Sequence, residues 1–506
     1  MSYIVHQKIK GRIYVYEATK FWDRESKKSK QSRKYLGVLG KDGKITNPHK
    51  TIKIKGIRDY GAIYALDFLA KECKLHEVVK QVFPDDYQTI MNLVYFKVID
   101  HQPYYLFQSW AEGSYLFEGN PLISQDLSDF CDKLGEDEDS HKEFFIEWIK
   151  RNKNHGTLIF DITSISSYSV YNEWLEWGYN RDGEKLRQLN LGAIVSQDLG
   201  LPLAYRFCQG SISDVVTLKN TTLFAQDVGI DSIKFVLDKG FYSLKNVSDM
   251  IDKKLDFIVP LPFSTKEAKR IINKTKEELA SPSNAFHYDQ GLMYHTAATA
   301  SIGKNNLNAH VFLNTRRQTE QLSDFFRKLN LIEERVLEKV FKTDEDILRF
   351  LDENFASFKE YFFIKNLTLK RNDKSISENS AHMGKIIILT NCAVSKLETL
   401  DIYLKKDIVE KCFDQMKNEL EDKRLRVASK KAFSARLFIT YLALILRTYL
   451  TSKSFKAKLN KNLKVPEIIA QLNLIRRVAT NDSYFLSEIS KTHRVIFDKL
   501  NIPIPV

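Results

Sequence analysis

Four residues with chemically useful side chains fall within one short stretch, YLKKDIVEKCFDQMKNEL at 403–420. In a helix of 3.6 residues per turn, Tyr403, Lys406, Glu410 and Lys417 gather within an arc of about 60°. The plain account of this stretch is an amphipathic helix. Leu404, Ile408, Val409, Cys412, Phe413, Met416 and Leu420 fill the opposite side, and Lys406 with Glu410, or Asp407 with Lys411, are ordinary ion-pair spacings. Two aspartates elsewhere change the weighting. Asp161 lies inside the apolar run LIFDITSIS, and Asp238 closes KFVLD ahead of the turn KGFYS. A carboxylate in a buried strand carries a desolvation cost that is recovered only by a partner or a metal ion. Asp238, close to Gly240, also suits a simple turn former. If the two strands are neighbours, the aspartates converge at the crevice of an open α/β sheet, and Glu410 on a packed helix completes a three-carboxylate site. Such an all-oxygen donor set prefers Mg²⁺ or Mn²⁺, which keep waters and bridge to phosphates.

The elements that must position these groups follow from periodicity. Residues 1–58 read as a basic, β-rich N-terminal segment, with IYVYEATKF as a strand and KDGK as an Asp-Gly turn. Residues 59–153 repeat apolar side chains every three or four positions and read as a helical region. From 154 to 262 the runs TLIFDITSIS, LNLGAIVSQ, LPLAYRFCQG, IKFVLD and FIVPLPF read as strands. The first three are close enough for an antiparallel meander, and VVTLKNTTLFAQDVG suggests a helical crossover to a parallel neighbour. Residues 263–384 differ in composition and read as an inserted subdomain, after which KIIILTNC resumes the sheet within 385–452. From Leu397 the chain reads as helical, and 453–506 is expected to be a helical C-terminal region ending in NIPIPV. The expected fold class is α/β.

Composition narrows the partners. The chain has 506 residues and a net charge of +13, and between Met1 and Lys55 there are fifteen Lys or Arg against four acids. Interleaved with Tyr14, Tyr16, Phe21, Trp22 and Tyr35, these cations suit a nucleic acid better than a membrane surface. No export signal is evident, and Cys73, Cys131, Cys208, Cys392 and Cys412 form no Cys-x-x-Cys pair, so a reducing, cytoplasmic setting is expected. LFITYLALIL, from Leu437, is shorter than a membrane span and reads as a buried core helix.

The stretch at 403–420 fits the pattern Tyr, two residues, Arg or Lys, three residues, Glu, six residues, Lys. On this pattern the sequence resembles the insertion-sequence family 4 group of DDE transposases. LIFDITSIS and VLDKGFYSLKN resemble the strands that carry that family's two catalytic aspartates. RFCQGSISDVVTL, with Ser211 where Asn is commoner, and the opening KSKQSRKYLGVLGKDGKI extend the likeness over most of the chain. The resemblance implies an RNase H-like mixed sheet interrupted by an insertion before the Glu helix. It implies Asp161, Asp238 and Glu410 as catalytic and metal-binding residues for two Mg²⁺ ions, with Mn²⁺ able to substitute. Tyr403, Lys406 and Lys417 become phosphate-binding residues, Lys406 standing where arginine is usual and lacking its planar fork. The implied partners are the double-stranded DNA of the element's terminal inverted repeats and of the target, and a second copy of the chain in a homodimer. In some relatives an insertion tryptophan holds a flipped base. Here Trp22, Trp110, Trp148, Trp174 and Trp177 all lie outside the insertion, which offers Phe286, Tyr288, Tyr294 and Phe312 instead. Two other activities share these residues: an RNase H-like nuclease or recombinase without strand transfer, and an inactive DNA-binding derivative.

Overall fold

The computed structural model describes residues 2–40, 42–46, 53–116, 122–152, 158–167, 169, 174–177, 185–209, 220, 223–230, 234–289, 291–420, 429–481 and 483–506. Ser211, the GSISDVVTL segment and much of the expected crossover helix lie outside them.

Near the N-terminus, β1 (Ser2–Ile9), β2 (Arg12–Asp23), β3 (Lys28–Leu39) and β4 (Ile45–Thr46) form an antiparallel sheet in that order. The next strand, β5 (Ile54–Asp59), belongs elsewhere. It pairs antiparallel with β17 (Arg476–Thr480), which pairs in turn with β18 (Tyr484–Leu486). The expectation of an all-helical C-terminal region is therefore corrected: RRVAT is a strand laddered to β5 from the other end of the chain, and YFL pairs with RRVAT.

The central part holds two sheets that meet. β6 (Leu158–Ser167), β7 (Arg187–Ser196) and β8 (Pro202–Gln209) form the antiparallel meander. β9 (Lys234–Val236) pairs parallel with β10 (Asp256–Pro260), and the helix Leu244–Asp252 makes the return between them. β6 and β9 are edge strands of their sheets and lie side by side, with the rings of Phe160 and Phe235 packed edge to face at 5.9 Å. These strands are almost wholly buried, which explains their continuous apolar runs.

The segment between β10 and β16 (Lys385–Thr390) opens with the helix Lys266–Leu279 and continues in two parts. β11 (Ala285–Tyr288), β12 (Gly291–Ile302) and β13 (Asn305–Asn314) add themselves to the same sheet as β16, in the order β11-β12-β13-β16-β10-β9. The rest, Thr315 to Met383, is a lobe with its own core of Phe325, Leu329, Ile332, Ile347 and Leu351, carrying the hairpin β14 (Phe362–Lys365) and β15 (Thr368–Arg371).

The helix Lys430–Lys456 runs through the main core and contacts the helices Tyr87–Ile99 and Ser124–Glu136. It is long and apolar enough to cross a membrane, but 89 % of its apolar window is buried within the protein, as in a core helix. Gly135 permits the close approach of the Ser124–Glu136 helix, because a Cβ there would collide with the Lys431 carbonyl. Trp148, on the helix Glu138–Arg151, donates its indole N–H to the Pro202 carbonyl of β8 at 3.0 Å, fastening the helical region to the sheet.

Candidate active site

Asp238 lies two residues beyond the end of β9, its backbone still extended, at the cap of the short 3₁₀ helix Lys239–Phe241. Asp161 is the fourth residue of β6, opposite Ala193 on β7 and half-buried, and its Oδ1 accepts the Ile162 amide at 2.8 Å. Glu410 lies on the helix Asp407–Asp414, which packs against β6 and β7. The three carboxylates thus stand on mutually packed elements drawn from three separated parts of the chain.

The stretch 403–420 is not one regular helix. The helix Lys396–Leu404 ends one residue after Tyr403, and the chain passes to the next helix through i→i+3 bonds, Lys406 N–H to the Tyr403 carbonyl (3.2 Å) and Val409 N–H to the Lys406 carbonyl (3.0 Å). After Asp414 a π-helical turn spans Gln415–Glu419, closed by the Leu420 amide on the Gln415 carbonyl at 2.8 Å. Gln415 anchors this turn to the core helix: its amide donates to Thr451 Oγ1 and its carbonyl oxygen accepts from the Thr448 hydroxyl, both at 3.0 Å. The extra residue in the turn shifts the register, and Lys417 is buried, 8 % exposed, rather than lying on a solvated stripe. Single-turn π bulges of this kind recur at functional sites.

Lys406 is the hinge of the site. Its Nζ is 3.0 Å from Asp238 Oδ1 and 3.0 Å from Glu410 Oε1, and it sits 5.5 Å from the centre of the Tyr403 ring. Its side chain is only 19 % exposed, while those of Asp238 and Glu410 are 53 % and 52 % exposed. Burial alone would lower the Lys406 pKa, but the hydrogen bond to Asp238 together with the charges of Tyr403 and Asp238 and the hydrogen bond to Glu410 outweigh it and hold the ammonium above the usual lysine range. Burial likewise acts to raise the Asp238 carboxyl, and Lys406 overrides it, so this group stays below the usual carboxylate range. Tyr403 is raised, chiefly by burial.

Among the described residues no three His, Cys, Asp or Glu side chains form a ready cluster for a metal ion. The donor chemistry nevertheless suits a hard divalent cation, because the acidic side chains supply only oxygen and a cation, the Lys406 ammonium, already stands between two of them. The structure brings Asp238, Lys406, Glu410 and Tyr403 together, and sets Asp161 on the strand beside them.

One member of this neighbourhood carried no signal in the sequence. Asp401 accepts the Tyr288 hydroxyl at 3.0 Å and pairs with Lys405 at 2.6 Å, tying β11 to the helix that ends beside Tyr403. Nothing in the spacing of 396–406 distinguishes it from an ordinary i,i+4 surface carboxylate.

The sequence profile described as "Transposase DDE domain" matches residues 152–446, more than half of the chain. The chain belongs to the DDE transposase family. The match runs from just before β6 to within the core helix, and so takes in all the residues of this site. The search of curated proteins returns no match to this transposase. Among solved structures, it is similar to a piggyBac transposase synaptic complex with hairpin DNA, determined by cryo-EM. That likeness has a TM-score of 0.34 and 11 % identity, over 86 % of this chain and 72 % of the other. All five cysteines of the transposase are buried free thiols.

Proposed function

We propose that this DDE transposase belongs to the insertion-sequence family 4 group, cleaves the terminal inverted repeats of its own element and joins the 3′ ends to target DNA. The side-by-side packing of the edge strands β6 and β9, which sets the meander β6-β7-β8 against the sheet that holds β9 and β10, supports an RNase H-like core. In this division residues 1–58 and 59–153 recognise DNA, 154–262 and 385–452 make the core, 263–384 is the insertion and 453–506 closes the chain. Two copies act together, one for each element end.

The observation that carries the proposal is the Lys406 ammonium held between Asp238 and Glu410, residues far apart in sequence. Asp161, Asp238 and Glu410 are the residues that would hold two Mg²⁺ ions, or Mn²⁺ in their place. Bound there, the ions supply Lewis-acid activation of an attacking water or 3′-hydroxyl and of the leaving oxygen. The protein's own contribution is placement. Tyr403 and Lys406, at the junction between two helices, face the strand to be cut, and Lys417 in the π turn adds positive charge behind them.

The test is substitution of Asp161, Asp238 or Glu410 by Ala, followed by Mg²⁺-dependent cleavage and joining assays on the DNA that flanks the gene, where paired repeats are expected. Each single variant should lose both activities while still binding the DNA. Full cleavage by any of the three sinks the assignment. Cleavage by the wild type with no joined product identifies a nuclease, and binding without any metal-dependent product identifies an inactive derivative.

A further inference from the structure

The N-terminal sheet ends in an arm held at its base by Tyr3 of β1, whose hydroxyl accepts from Gln31 at 2.8 Å and whose ring lies under Lys20. β1 pairs with β2 from Ile9 opposite Arg12 up to Ser2 opposite Thr19, and stops there. β2 and β3 stay paired as far as Asp23 opposite Lys28. Residues 20–31, KFWDRESKKSKQ, are therefore a two-stranded ribbon, and they carry five cationic side chains against two acids. The tip has a set shape: Asp23 accepts from the Ser26 hydroxyl at 2.6 Å and the Glu25 amide at 3.2 Å, and pairs with Lys30.

Phe21 and Trp22 stand at the end of this arm, 49 % and 64 % exposed. As successive residues of one strand they point to opposite faces. A flat surface, such as a membrane, would cover one of them and leave the other in water. A slot with two walls covers both, and Lys20, Arg24, Lys27, Lys28 and Lys30 around the pair call for walls that are anionic. The major groove of duplex DNA, about 12 Å wide, admits a two-stranded ribbon and is walled by phosphates.

We propose that the ribbon of residues 20–31 enters the major groove of double-stranded DNA edge-on, its cations on the two phosphate backbones and Phe21 and Trp22 packed on the sugars of opposite walls. This deepens the proposed recognition of the element ends by naming the segment and the groove, and rests on that proposal for the choice of DNA.

The test uses the full chain and the duplex DNA that flanks the gene, probed with dimethyl sulfate, which methylates guanine N7 in the major groove and adenine N3 in the minor groove. Thr19 and Ser32 face one another across β2 and β3, so joining them through Asn-Gly removes the arm and leaves a two-residue hairpin turn. A second variant, Phe21→Ser with Trp22→Ser, keeps the arm. Wild type should protect a patch of guanine N7. Both variants should lose that patch and keep the remaining footprint, and in the shortened chain the slope of log affinity against log salt should fall by about three to four. If the shortened chain melts early, the serine pair, altered only at exposed positions, decides. Unchanged guanine protection in the serine pair, protection of adenine N3 alone, or no wild-type footprint overturns the proposal. Wild-type guanine protection without metal-dependent cleavage removes the catalytic assignment and leaves the arm standing.

Discussion

Lys406 and Asp238, 168 residues apart in sequence, are in direct contact at 3.0 Å, and the same ammonium reaches Glu410 at 3.0 Å. A cation between two acidic side chains relieves their repulsion, and it occupies the place a divalent ion would contest. Lys406→Met should therefore melt lower than wild type in EDTA, by about 1 kcal/mol for so exposed a pair of carboxylates. It should also gain more from added Mg²⁺, since no ammonium has to be displaced. Thermal melts with and without Mg²⁺ measure both effects. Equal Mg²⁺ shifts in the two proteins would show that lysine and metal do not compete.

The hydrogen bond from Tyr288 to Asp401 crosses from the insertion sheet to the helix that ends at Leu404. Tyr288→Phe removes one hydroxyl and leaves the ring. A single hydrogen bond contributes about 1 kcal/mol to stability, so the melt should barely move. If Tyr403 and Lys406 hold the phosphate as proposed, cleavage should nonetheless slow several-fold, because a small misplacement of the pair would weaken that hold. A rate equal to wild type would confine the contact to packing.

How much of this was legible beforehand follows from the range of the forces involved. The meander β6-β7-β8 and the position of Asp238 at the end of KFVLD could be read because short apolar runs bounded by turn residues are local signals. The shape of 403–420 could not. Its π turn depends on Gln415 reaching Thr448 and Thr451, about thirty residues ahead, and no periodicity within the stretch encodes that. The pairing of β17 with β5 is of the same kind, joining Val478 to Ile57. The strands of the insertion were visible as strands. That they extend the central sheet follows from β16 offering a second hydrogen-bonding edge, which a sheet leaves bare only at a cost.

The helical lobe from Thr315 to Met383 enters and leaves at one point, where the Asn314 amide donates to the Gly384 carbonyl at 2.9 Å. With its own core, it should be removable. A chain with a short Gly-Ser linker from Asn314 to Gly384 should fold, with the main cooperative melt within a few degrees of wild type, because loop closure between touching ends costs little. Circular dichroism melting checks this. An insoluble or molten product would show that the lobe supports the sheet.

His141 is buried and stacked on Phe438, ring centres 4.1 Å apart, and burial pushes its pKa from 6.5 to about 4 despite the opposing charge of Asp137. The folded protein thus favours neutral imidazole, and between pH 6.5 and 4 the unfolded chain binds the extra proton. The resulting stability is fully present above pH 6.5 and is lost as pH falls towards 4, a difference of about 3 kcal/mol if the depression is complete. Urea unfolding followed by tryptophan fluorescence at pH 7 and pH 4.5 should show this loss. His141→Leu keeps an apolar side chain over Phe438 and has nothing to protonate, so its stability should fall less over the same interval. A parallel decline in both proteins would overturn the assignment to His141. Asp67 makes no such contribution over this interval: burial pushes its carboxyl up, but its hydrogen bonds and ion pairs with His76 and Lys71 together hold it below the usual 3.8, so the stability it contributes is kept down to about pH 3.8 and lost only below it.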